Sequence, residues 1–152
     1  MQYWRGKAKT GKQIAHVILS DARVQSGLYP MYWEPFCGML GVMRHILAQE
    51  ESPFKNFVAT DLNHAVTHFW TNVQEGWTPD VKVTPAGYQE LRETKLSYSC
   101  QHVFVGHACG FGGKYFDLAH CPQGYLDKRL NASAKTVDRI RSTAHFRGPL
   151  LL

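Results

Sequence analysis

The residues best suited to chemistry are two glycines, Gly38 and Gly41, and one acid, Asp61. The glycines lie in YWEPFCGMLGV, Tyr32 to Val42, which reads as an apolar strand running into a glycine turn and then a helix. Asp61 comes 19 residues after Val42, in FVATDLN, Phe57 to Asn63, which reads as a second strand ending in a carboxylate. A glycine turn lets backbone approach a bound ligand closely. An acid at the tip of the next strand accepts hydrogen bonds from a ribose. Together they follow the physical logic of an adenosine-containing cofactor site in an open α/β sheet. Each half also has a plainer reading. Glycine turns serve structure alone, and Asp61 suits the N-cap of the segment that follows. Lys7, behind Arg5 and Gly6, is a third candidate, because a lysine next to a loop glycine can meet an anionic group or a carboxylate. As part of a solvated basic tail it would meet neither.

Two further sets of side chains carry possible chemistry. Cys100, His102, His107, Cys109, His120 and Cys121 are soft ligands within 22 residues, and Cys-x-His and His-x-Cys pairs can hold zinc. Their spacing matches no standard finger, and eight histidines spread over the chain make chance clustering the simpler account, so no metal is expected. The four cysteines form no CxxC pair, which points to reduced thiols. The other set is basic. Lys114, Lys128, Arg129, Lys135, Arg139, Arg141 and Arg147 concentrate in the last third, interleaved with Phe111, Tyr115, Phe116 and Tyr125. That composition suits phosphate contacts with base stacking; it equally suits a solvated basic face over an aromatic core. Trp33, Trp70 and Trp77 read as core or loop anchors, and Trp4 as an anchor or a ring stacked on a cofactor. His45, His64 and His68 are given no catalytic role.

The elements that must position these groups follow from periodicity and punctuation. Ile14, Val17 and Ile18 make one helical face over Gln13–Ser20. Tyr29–Phe36 is aromatic-rich and reads as a strand, Gly41–Gln49 as a helix, Phe57–Thr60 as a short buried strand, and Asn63–Val73 as a helix ended by Gly76. Thr84 and Pro85 mark a helix start, cap and first position, running through Tyr88, Leu91 and Arg92. Tyr98–Val105 reads as a strand, Gly106–Gly113 with its four glycines as a loop, and Ala132–Arg141 as a basic helix. The closing Leu150–Leu152 reads as a strand, either docked on a sheet or the start of a longer one. Helices connecting strands imply an α/β layer structure with a mostly parallel sheet. At 152 residues and 44% apolar content the chain suits one domain with a real core. Its net charge of +5 favours a polyanionic partner. No apolar run is long enough for a membrane span, and the basic start lacks the apolar segment of a signal peptide, so the cytoplasm is the default location.

Three blocks resemble, in order, the N-terminal part of the Dam-like adenine-specific DNA methyltransferases. Tyr3–Lys7 (YWRGK) resembles the block written Y-x-G-G-K, Glu34–Gly38 (EPFCG) the cofactor loop E-P-F-x-G, and Thr60–Asn63 (TDLN) the block S-D-x-N. Phe104–Phe116 is similar to a glycine-rich segment of some phage and viral members. The likeness covers roughly residues 1–145. It implies an incomplete Rossmann-like methyltransferase domain of the α/β class, with residues 1–95 as the S-adenosylmethionine-binding part and 96–152 as the start of the DNA-contacting region.

The implied cofactor is S-adenosylmethionine, lying across the carboxyl ends of the strands. Tyr3, Trp4, Lys7, Glu34, Pro35, Phe36, Cys37, Gly38, Asp61 and Leu62 would line it. Asp61 would hold the ribose, Leu62 would pack near the adenine, and Lys7 would sit at the methionine end. Lys114, Lys128, Arg129, Lys135 and Arg139 would contact double-stranded DNA, from which the family flips an adenine before methylating its exocyclic amino group. The chain departs from the family pattern at Arg5 and at Leu40, where the family carries glycine. It also has no two adjacent prolines, hence no D-P-P-Y, N-P-P-Y or S-P-P-Y block, so no catalytic residue is identified. The expected molecule is therefore such an enzyme or a fragment of one, monomeric, in the cytoplasm or in that of a host cell. The alternatives are an inactive DNA- or cofactor-binding module and, behind it, a zinc-binding module.

Overall fold

A computed structural model describes residues 7, 9–94, 99–110, 114–147 and 150–151. Among the described residues the elements are, in order, α1 (Gly11–Ser20), α2 (Ala22–Gln25), β1 (Met31–Glu34), α3 (Met43–Leu47), β2 (Asn56–Ala59), α4 (His64–Gln74), α5 (Pro85–Glu93), α6 (Cys100–Cys109), α7 (Gln123–Arg141), α8 (Ala144–Arg147) and β3 (Leu150–Leu151). The protein is thus of mixed helix and strand. The strands form one parallel sheet in the order β1-β2-β3, with Tyr32 opposite Phe57, Glu34 opposite Ala59, and Leu150 and Leu151 opposite Phe57 and Val58.

Both crossovers step the same way across the sheet. Right-handed connections then place their helices on one face, and the burial pattern agrees. Phe57, Ala59 and Glu34 are buried and Tyr32 is half-buried, whereas Met31 and Trp33, on the opposite side of β1, are 53% and 57% exposed. Under the covered face the core is continuous. Phe69, Trp70, Trp77, Phe104 and Phe146 meet edge to face, with ring centroids 4.9 to 6.4 Å apart, the geometry that ring quadrupoles favour. Because α6 packs on α4, α5 and α7, the later helices share this core with the earlier ones.

Local chemistry explains several boundaries. The Asn63 side chain accepts the Ala65 N–H and starts α4; the Thr84 hydroxyl accepts the Gly87 N–H, with Pro85 opening α5. Gly11 lets α1 sit against the glycine turn, since a Cβ there would collide with the Gly41 carbonyl.

The second half corrects the sequence reading. The expected strand over 98–105 is a helix from Cys100, capped by the Ser99 hydroxyl on the His102 N–H at 3.3 Å; Tyr98 lies outside the described residues. All residues from Val103 to Cys109 are buried, His107 included, so this part of α6 is covered around its whole circumference and shows no amphipathic period to read. The expected loop over 106–113 begins as the last turn of that helix. Gly106 serves there as space, because a Cβ would run into the rings of Tyr115 and Phe116. The basic helix expected over 132–141 begins nine residues earlier, at Gln123.

Candidate functional site

The tips of β1 and β2 are joined residue by residue. Beyond the strand ends the Thr60 N–H donates to the Glu34 carbonyl, and the Cys37 N–H to the Thr60 carbonyl, both at 3.0 Å. The chain then turns at Gly38, whose φ of 48° lies in the left-handed region that favours glycine. Two side chains hold this turn. One carboxylate oxygen of Asp61 accepts the Gly38 N–H at 2.9 Å, and the Trp70 ring N–H donates to the Gly38 carbonyl at 3.0 Å. The second Asp61 oxygen accepts the Asn63 N–H at 2.9 Å. A carboxylate offers about four lone-pair sites, and half-buried Asp61 spends two of them on backbone, leaving the others for a ligand. Leu40 has a φ of 51° despite its Cβ, a conformation costing roughly 1–2 kcal/mol. Its fully buried side chain offsets that cost.

Glu34 faces inward. It is 8% exposed, and one carboxylate oxygen accepts the Met43 N–H at 2.8 Å and the Tyr32 hydroxyl at 3.3 Å. Burial raises its pKa above the ordinary 4.5, against the pull of the Met43 amide, Lys7 and Tyr32. Burial likewise pushes the Cys37 thiol up to about 12, so it stays protonated and packs in the core.

A shallow cavity of about 240 Å³ opens beside β1, lined by Lys7, Ile14, Tyr32, Trp33, Glu34, Pro35, Phe36 and Val42. Of the expected cofactor residues it gathers Lys7, Glu34, Pro35 and Phe36. Gly38 and Cys37 are buried behind it, and Asp61 is linked to it through the Gly38 amide. Leu62 stands 86% exposed and Phe36 73% exposed, two apolar groups with uncovered surface at adjacent strand tips. Tyr3 and Trp4 lie outside the described residues. Sequence reasoning missed Trp70 as a site residue. Its position on the buried face of α4 was legible, and a buried indole N–H needs an acceptor.

The basic residues divide. Lys128, Lys135 and Arg139 are exposed and, seven and eleven residues apart on α7, form one stripe. Arg129 is turned inward, its Nε–H donating to the Ala108 carbonyl at 2.9 Å, which pins α7 to α6. Lys114 is exposed on the segment between α6 and α7, off the stripe. Phe111 lies outside the described residues; Phe116 is buried, and Tyr115 and Tyr125 are half-buried against the core. Cys100, His102, His107 and Cys109 all lie on α6, and among the described residues no three His, Cys, Asp or Glu side chains gather in a metal-binding group. No described helix is long and apolar enough to cross a membrane.

Comparison with known proteins gave no matching family model, curated sequence or solved structure.

Proposed function

We propose that this chain is an adenine-specific DNA methyltransferase, or a piece of one, whose parallel sheet is the incomplete Rossmann-like half that binds S-adenosylmethionine. The observation that carries the reading is the bond from the Gly38 amide to Asp61, which joins the glycine turn of one strand to the acid of the next. Leu40 adds support: it holds the left-handed φ at the position where the family pattern has glycine. The groups present suit the cofactor. Asp61 would take the ribose hydroxyls on its remaining lone pairs, Phe36 and Leu62 would cover apolar parts of the nucleoside, and Lys7 would face the methionine carboxylate. Bound there, S-adenosylmethionine supplies an activated methyl group. Cys37 then acts from behind, and Glu34, at the cavity wall, braces the start of α3 through the Met43 amide. Lys128, Lys135 and Arg139 would follow the phosphates of double-stranded DNA, and Lys114 would add charge nearby.

One observation favours a second reading, a cofactor- or DNA-binding module without transfer activity: no two prolines are adjacent in the 152 residues, so the tetrapeptide that holds the target amino group is missing. Calorimetric titration with S-adenosylmethionine, with a metal assay on the same sample, tests the cofactor site. Micromolar binding without zinc is expected, and absence of binding overturns both the enzyme and the cofactor module. Transfer of labelled methyl to adenine-containing duplex then separates enzyme from module.

A further inference from the structure

A second cleft lies away from the strand tips, between α3 and the C-terminal end of α7. It encloses about 190 Å³, with Arg44 and His45 on one wall and Thr136, Arg139 and Thr143 on the other. No carboxylate lines it among the described residues; the nearest acid in sequence, Asp138, is paired with Arg141 at 3.0 Å. We propose that this cleft binds a phosphoryl group, gripped by the guanidinium groups of Arg44 and Arg139.

The two guanidinium groups and the electrostatics of the cleft point to an oxyanion, and the wall hydroxyls suit a hydrated or protonated one. Two guanidinium groups share one small cavity, and planar forked donors match phosphate oxygens in pairs. The hydrogen-bonding roles on the walls are then complementary. The Arg44 Nε–H donates to His45 Nε2 at 3.3 Å, so the neutral imidazole carries its proton on Nδ1 as a further donor. The hydroxyls of Thr136 and Thr143 spend their protons on the Ala132 and Ile140 carbonyls, at 3.1 and 2.8 Å. They therefore present acceptor oxygens, suited to water or to a protonated phosphate oxygen. Finally, the surroundings disfavour positive charge as they stand. Burial and then the charge of Arg139 lower the pKa of Arg44, and burial followed by Arg44 and Lys12 lowers that of His45. An anion in the cleft reverses that repulsion. The cleft does not depend on the cofactor reading and shares with the α7 stripe only Arg139.

The phosphoryl group could belong to a nucleic-acid backbone or to a small phosphorylated molecule. Titration of the full chain at low salt with inorganic phosphate, without S-adenosylmethionine, and separately with a short DNA duplex, tests the site. Charge-assisted bonds of this kind imply a loss of about tenfold or more in affinity on Arg139→Gln and on Arg44→Gln, with exposed Lys82→Gln as the unaffected control. Arg139 is exposed, so its variant is expected to fold and is decisive if half-buried Arg44→Gln does not. Phosphate displaced by duplex assigns the cleft to backbone phosphate; phosphate retained alongside duplex assigns it to a free phosphorylated ligand. If inorganic phosphate does not bind, or binds Arg139→Gln as tightly as the unaltered chain, the proposal is overturned, whatever happens to duplex binding, which the α7 stripe alone could weaken.

Discussion

Glu34 and Asp61 stand at the tips of neighbouring parallel strands, yet they do opposite work. Glu34 is buried and spends its carboxylate on the protein's own frame, accepting the Met43 amide at the start of α3. Asp61 is half-buried and fixes Gly38 and Asn63 with one bond from each oxygen, which leaves part of its acceptor capacity unspent on backbone. Residue class and topological place are the same; burial sets the difference. A carboxylate turned under the helices becomes a brace, and one at the rim remains able to bind.

The largest way to disturb both tips at once is through the residue that holds the turn between them. Trp70→Ala removes a fully buried ring and the donor to the Gly38 carbonyl, and should cost about 3–5 kcal/mol in urea unfolding. A cost under about 1 kcal/mol would show that the turn does not depend on it.

Next comes the buried acid. Glu34→Ala should cost about 1–3 kcal/mol by stranding the Met43 amide. The same site carries a pH signature. Because the folded-state pKa of Glu34 is raised, the folded protein holds its proton more tightly than the unfolded chain. Its contribution is fully present below the ordinary 4.5 and is lost as pH rises through the folded value. Glu34→Gln should flatten that part of the stability profile, measured by thermal unfolding across the acid range. An unchanged slope would mean that another group produces it.

Asp61→Asn addresses the rim acid. It should lower stability by only about 1 kcal/mol, since the amide oxygen still accepts one backbone N–H, while weakening S-adenosylmethionine by tenfold or more in calorimetry. Full affinity in this variant would remove the main support for the cofactor reading. The smallest effect on stability belongs to Leu62→Ala. At 86% exposure it should move stability by less than about 0.5 kcal/mol, and a loss of cofactor affinity there would mark the rim as the binding edge.

Much of the chain up to α5 was legible. The Thr84 cap and the Pro85 start rest on contacts a few residues apart, so residue type alone predicts them; the cap of α4 is Asn63 rather than Asp61, whose carboxylate is drawn to the distant Gly38 amide. The strands over 31–34 and 56–59 showed through their apolar and aromatic runs. The second half was less readable, because α6 is buried on every side and leaves no period, and Gly106 marks close packing rather than a bend. The short α2 and α8 gave no periodic signal over four residues each.

By itself, then, the sequence determined where glycine, proline and threonine punctuate the chain, that strands alternate with helices in its first half, and that an acid lies 23 residues after the glycine turn. Tertiary structure alone decided that Glu34 faces in while Asp61 stays at the rim, that Arg129 pins a helix while Arg139 meets Arg44 across a cleft, and that one face of the sheet is covered. Caps and turns close over a few neighbouring residues, whose chemistry the sequence states. Burial and charge pairing sum over residues distant in the chain, and only the packed fold brings those together.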